Sequence, residues 1–222
     1  MNPEPERPRR PAPGARGCRA ITMVEALVVL VLVTLMGMFL LASVARPRTP
    51  TQSLQCVRNL KQTGLAFRLF ATDNSDRFPQ CLSTNEGGTR EFGADLAAHF
   101  RLLSNELAAP KVVTCPADAR GPAASFDALT SANISYFLGM EADELLPEMV
   151  LAGDGNLSTN SRPVRPGWLH PATNLAVGWF TNRHAAGGNL GFSDGSAQQL
   201  TGARLDALLS VAPNLTNRFL VP

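Results

Sequence analysis

From Ala26 to Ala45 the chain reads ALVVLVLVTLMGMFLLASVA, twenty residues without a charge, of which only Thr34 and Ser43 are polar. A helix rises about 1.5 Å per residue, so a run of this length matches a hydrocarbon core of about 30 Å. A helix buried in a globular core usually keeps a polar stripe or stops sooner, so the pattern predicts a membrane helix over residues 21–45. The preceding 20 residues hold five arginines against two glutamates, together with Pro3, Pro5, Pro8, Pro11 and Pro13. That proline density excludes helix and strand, and the basic excess on this side predicts a cytoplasmic N-terminus with the rest of the chain outside. The whole chain of 222 residues has a formal charge of only +2, and the leader accounts for all of the excess. A balance so close to zero argues against nucleic acid as a partner.

A secretory signal peptide would use the same apolar run, and Ser43-Val44-Ala45 offers small residues for a cut after it. Glu25 speaks for a different process. An unpaired carboxylate at the edge of an apolar segment is costly, and a signal peptide has no use for one. The segment Arg19-Ala20-Ile21-Thr22-Met23-Val24-Glu25-Ala26-Leu27 resembles the type IV prepilin and pseudopilin cleavage site. The resemblance implies a cut by prepilin peptidase between Ala20 and Ile21, N-methylation of Ile21, and a glutamate, Glu25, at the fifth mature position. Family members mostly carry Gly before the cut and Phe after it, where this chain has Ala20 and Ile21. In a stack of such helices, the Glu25 carboxylate of one subunit can pair with the new α-amino group of Ile21 in the next, which sets the assembly register.

Pro47 and Pro50 interrupt the helix, and Thr49-Pro50-Thr51-Gln52 reads as a restart with a capping threonine. A second, amphipathic helix is expected from about Pro50 to Thr72. Its apolar face would hold Leu54, Val57, Leu60, Gly64, Leu65, Phe67, Phe70 and Ala71, with Arg58, Lys61, Gln62 and Arg68 opposite. The segments Cys56 to Gln62, Cys115-Pro116-Ala117-Asp118 and Ser135-Tyr136-Phe137-Leu138-Gly139 are similar to a prepilin-like family labelled type II secretion protein G-like. That family is marked by a histidine, nine arbitrary residues and Asp-Gly. Here these are His184, Asp194 and Gly195.

Beyond Phe78, short apolar runs separated by turn residues predict an antiparallel sheet from 111–115, 134–139, 148–152, 175–180, 188–193 and 197–200. A helix over 201–210 and a closing strand over 216–221 complete it. Ser193-Asp194-Gly195-Ser196 is a tight-turn signal between two of the strands. The expected fold class is therefore α+β and pilin-like, a long N-terminal transmembrane/amphipathic helix packed on a C-terminal antiparallel β-sheet domain. Its parts are a leader (1–20), the membrane helix (21–45), an amphipathic continuation (46–75) and a β-rich head (76–222).

His184, Asp194 and Asp154 could lie together, yet no second His or Glu stands at metal-ligand spacing, His170 falls in a Gly/Pro-rich loop, and the hairpin accounts for Asp-Gly. The His184, Asp194, Gly195 motif is read as structural, with no metal or other cofactor. Asp73-Asn74-Ser75-Asp76 has a calcium-loop flavour, but Arg77 breaks the alternation and a helix end with a turn fits better. Cys18 leaves with the leader, and the three remaining cysteines face an oxidising space. Cys56 and Cys115 both fall in family-like segments, so the resemblance implies a Cys56–Cys115 disulfide with Cys81 free. No nucleophile elbow, phosphate loop or paired-carboxylate signature points to an enzyme.

The resemblance implies a structural pilin or pseudopilin subunit of a type II secretion or type IV pilus-like filament, sited in the inner membrane as a single-pass protein. Its partners would be prepilin peptidase, other pilin or pseudopilin subunits and the membrane, with no nucleic acid. A membrane-anchored or secreted extracellular domain that borrowed the anchor, for binding or, second to that, enzymatic activity in the His184 region, is the alternative.

Overall fold

The structure, a computed structural model, describes residues 22–44, 48–171, 175–181, 183–184, 187–211 and 218–222. It divides into two compact units, residues 1–46 and 47–222.

In the first unit, helix α1 spans Met23–Val44. Thr22 caps it by accepting a hydrogen bond from the Glu25 backbone N–H at 3.3 Å. Glu25 itself stands in the first turn, where a carboxylate complements the positive end of the helix dipole.

The second unit begins with α2, Arg48–Asp73. Its buried stripe is Ser53, Cys56, Leu60, Thr63, Gly64, Phe67 and Ala71, spaced by three and four as a helix lying on a sheet requires. Leu54 and Leu65 were expected on this face, but each sits one residue, about 100°, from a stripe position. They are accordingly exposed, at 71% and 56%.

The expectation of a long transmembrane/amphipathic helix is corrected here. Among the described residues no helix is long and apolar enough to cross a membrane. Helix α2 is no apolar continuation either, since Arg58, Lys61, Gln62 and Arg68 are all exposed.

After α2, short 3₁₀ turns and helix α3, Leu96–Leu102, lead into the sheets. The strands are β1 Tyr136–Gly139, β2 Val150–Asp154, β3 Leu157–Thr159, β4 Arg162–Pro163, β5 Gly167–Leu169, β6 Val177–Trp179, β7 Gly187–Phe192, β8 Ala197–Thr201 and β9 Phe219–Val221. Helix α4, Gly202–Val211, lies between β8 and β9. Six strands form one sheet in the order β5-β9-β1-β2-β7-β8, and β4-β3-β6 form a second. Every pairing is antiparallel, so the second unit is α+β with antiparallel sheets.

The large sheet is covered on both faces. Leu138, Leu151 and Leu220 join Phe67, Phe78 and Phe100 on the α2 and α3 side. Phe137, Leu190, Phe219 and Val221 join Trp179, Leu205 and Leu209 on the side of α4 and the small sheet. The alternation of Phe219, Leu220 and Val221 between these two clusters is the two-residue period of a strand buried on both faces. On the α2 side, Phe67 meets Phe78 and Phe100 edge-on at 5.8 and 6.1 Å. Such aromatic pairs stabilise by about 0.5–1.5 kcal/mol each beyond the area they bury.

The expected strand at 111–115 is instead a 3₁₀ turn, Pro110–Val113. Pro110 at its start presets the required φ, and the two valines are buried without a ladder. The segment 73–76 is a helix end and turn: the N–H groups of Asn74 and Asp76 both donate to Ala71 O at 2.9 Å.

Candidate functional site

Segments far apart in the sequence converge behind β1. Cys56 comes from α2, Cys115 from just after the 110–113 turn, Asp154 from the end of β2 and His184 from the loop between β6 and β7. Cys56 and Cys115 are joined by a disulfide, with Cα atoms 5.3 Å apart. Cys81 is free, half-buried 3.5 Å from Ala142 O, and burial together with Asp143 pushes its thiol pKa up. His184 Nε2 lies 3.3 Å from Cys115 Sγ and 3.4 Å from Asp154 Oδ2.

All four side chains are buried, and each offers a ligand atom within 4.8 Å of the others. Asp154 Oδ2 accepts two hydrogen bonds from Asn189, one from the backbone N–H and one from Nδ2, both at 2.8 Å. Its other oxygen, Oδ1, is buried without a hydrogen-bond partner. Burial raises the Asp154 pKa to about 6, against the opposing pull of the Asn189 donors and the Arg183 charge. Burial also lowers the His184 pKa, helped by Arg183. The ring is therefore neutral near pH 7, and its 3.4 Å approach to Asp154 Oδ2 is not a charged pair.

A second layer of charge surrounds this centre. The Arg183 guanidinium pairs with Asp118 and donates to Ser135 O at 3.0 Å. Ser135 Oγ donates to Asp118 Oδ2 at 2.8 Å. Asn59 Nδ2 donates to Thr114 O at 3.1 Å, which holds α2 against the segment carrying Cys115. The family-like segments around Cys56, Cys115–Asp118, Ser135–Gly139 and His184 thus share one buried polar centre, although each looked local in sequence.

His184 pays for its place with a backbone φ of +46°, in the left-handed region that costs a non-glycine residue roughly 1–2 kcal/mol. Asp194 and Gly195 stand apart from the centre, at the far end of β7. Asp194 Oδ1 accepts from Ser196 N at 2.8 Å, and Gly195 adopts φ +80°. The histidine and the Asp-Gly pair therefore bracket one strand, His184 before it and the β7–β8 hairpin after it.

Ala20 and Ile21 lie outside the described residues. Of the remaining candidates, Glu25 is exposed on α1 and belongs to the other unit. Sequence spacing missed the four-residue set because its members come from four separate elements, two of them cysteines already assigned to each other. The chain matches no protein-family model, no curated protein and no solved structure.

Proposed function

We propose that the chain is a pilin-like subunit, cut by prepilin peptidase between Ala20 and Ile21, N-methylated at Ile21 and assembled through α1 into a type II secretion or pilus-like filament. The observation that carries this reading is the surface of α1. Its large apolar side chains from Met23 to Met38 are exposed all round the helix, from 46% at Val31 to 91% at Met23. A helix apolar on every side is stable only when something covers it. Copies of the same helix supply such a cover, with cohesion from close side-chain packing. The Cys56–Cys115 disulfide supports a head exported to an oxidising space.

The mature protein should begin at methylated Ile21 by mass spectrometry, and a start at Arg46 would overturn the reading in favour of simple secretion. Glu25→Ala removes the carboxylate but leaves the cap, which uses the backbone N–H of that residue. Processing should persist while co-assembly with wild-type subunits fails. Unchanged incorporation into filaments would remove the register role.

One observation favours the alternative of an exported binding domain. A groove of about 480 Å³ lies between α2 and residues 111–122, lined by Gln55, Arg58, Lys111, Asp118 and Arg120 among others.

A further inference from the structure

We propose that Cys56, Cys115, Asp154 and His184 form a zinc site in the reduced protein, a site that disulfide formation closes. Zinc takes four ligands tetrahedrally, at about 2.3 Å from sulfur and about 2.0–2.2 Å from nitrogen or oxygen, which sets ligand-to-ligand edges of about 3.3–3.8 Å. Two of the three edges at His184 Nε2 already measure 3.3 Å to Cys115 Sγ and 3.4 Å to Asp154 Oδ2. Reduction frees the two sulfurs to move apart to the same spacing.

Two thiolates, an imidazole and a carboxylate are a set suited to zinc, whereas calcium and magnesium require six or more oxygens. Asn189 fixes the carboxylate through Oδ2, the oxygen 3.4 Å from His184 Nε2, and leaves Oδ1 buried and without a hydrogen-bond partner. Three anionic ligands around a divalent ion leave one negative charge, which the neighbouring Arg183, Arg120 and Asp118, net positive by one, offset. Four protein ligands and deep burial leave no open coordination position. The metal would be structural, holding α2, the Cys115 segment, β2 and the loop before β7 together, where the disulfide joins only the first two.

The exchange balances. The newly made chain carries two thiols, and binding Zn²⁺ releases two protons. A disulfide oxidant then accepts two electrons from the two thiolates: its S–S bond breaks and takes up two protons to give two thiols, the Cys56–Cys115 bond forms, and Zn²⁺ leaves.

The test uses the full chain reduced with a phosphine and then freed of excess reductant. After addition of Zn²⁺ and gel filtration, the reduced protein should retain one zinc per chain and the oxidised protein none. With Co²⁺ the reduced protein should show a thiolate-to-metal charge-transfer band and the d–d bands of a tetrahedral site. Cys81→Ser should bind as wild type. Loss of an outer partner alone typically weakens metal binding about 10–100-fold, so His184→Ala and Asp154→Asn should lose at least that much. No zinc on the reduced wild type, or equal retention by a Cys56→Ser/Cys115→Ser double variant, overturns the proposal. If the His184 or Asp154 variants do not fold, melting of the wild type decides: Zn²⁺ should raise the Tm of the reduced protein and leave the oxidised one unchanged, and the absence of that difference is equally fatal.

Discussion

His99 is fully buried in α3, with Nδ1 2.7 Å from Thr89 Oγ1 and Nε2 3.3 Å from Gly93 O. Burial lowers its pKa below the ordinary 6.5, and the Gly93 carbonyl and Asp95 only partly oppose this. The folded protein therefore holds the ring neutral. The unfolded chain takes up a proton as pH falls below about 6.5, so stability declines from there down to the folded value and is flat above. Urea midpoints at about pH 7.5 and about pH 5.5 should fall further for wild type than for His99→Gln. His184, depressed in the same direction, is present in both proteins and cancels. Parallel losses in the two proteins would show that His99 is not the group responsible. None of this was legible in the sequence, where His99 is one polar residue in a short apolar stretch; its burial depends on Thr89 and Gly93 closing over it.

At the scale of elements, α2 meets the β7–β8 hairpin where two glycines touch. A Cβ on Gly64 would lie 3.0 Å from the Gly195 Cα, a backbone atom that cannot swing aside. Arg68 Nη1 donates to Asp194 O at 2.8 Å beside this contact and locks the turn against the helix. Gly64→Val should cost about 1–3 kcal/mol by overpacking, outweighing the roughly 0.5 kcal/mol that a better helix former returns. Leu65→Ala, at an exposed position one residue on, should change stability by less than about 0.5 kcal/mol. Chemical denaturation of both variants measures the contrast, and similar values would mean that the helix tolerates movement off the hairpin. The helix, the Asp-Gly turn and most strands of the large sheet were legible, because period and turn chemistry are local. Helix α3 was not, being only seven residues long. Of the small sheet β4-β3-β6, only β6 was expected, within 175–180; β3 and β4 were missed because they are three and two residues long, too short for alternation to show.

For the molecule as a whole, the Cys56–Cys115 bond ties α2 to the segment ahead of the sheet across 59 residues of chain. Closing a loop of that size stabilises by about 4 kcal/mol if the effect is chain entropy in the unfolded state. Cys56→Ser/Cys115→Ser, assayed with a chelator present, should therefore lose about 2–5 kcal/mol, read from its urea midpoint against oxidised wild type. A loss below about 1 kcal/mol would mean that hydrogen bonds such as Asn59 to Thr114 already hold the junction.

Local residue patterns sufficed for the charge-free N-terminal run, the amphipathic period of α2 and the Asp-Gly hairpin, since each depends on residues within a few positions of one another. That Cys56, Cys115, Asp154 and His184 share one buried centre follows from long-range packing. Their meeting depends on the sheet order β5-β9-β1-β2-β7-β8, which sets β2 beside β7 and lays α2 across both, and no local pattern of side chains encodes that order.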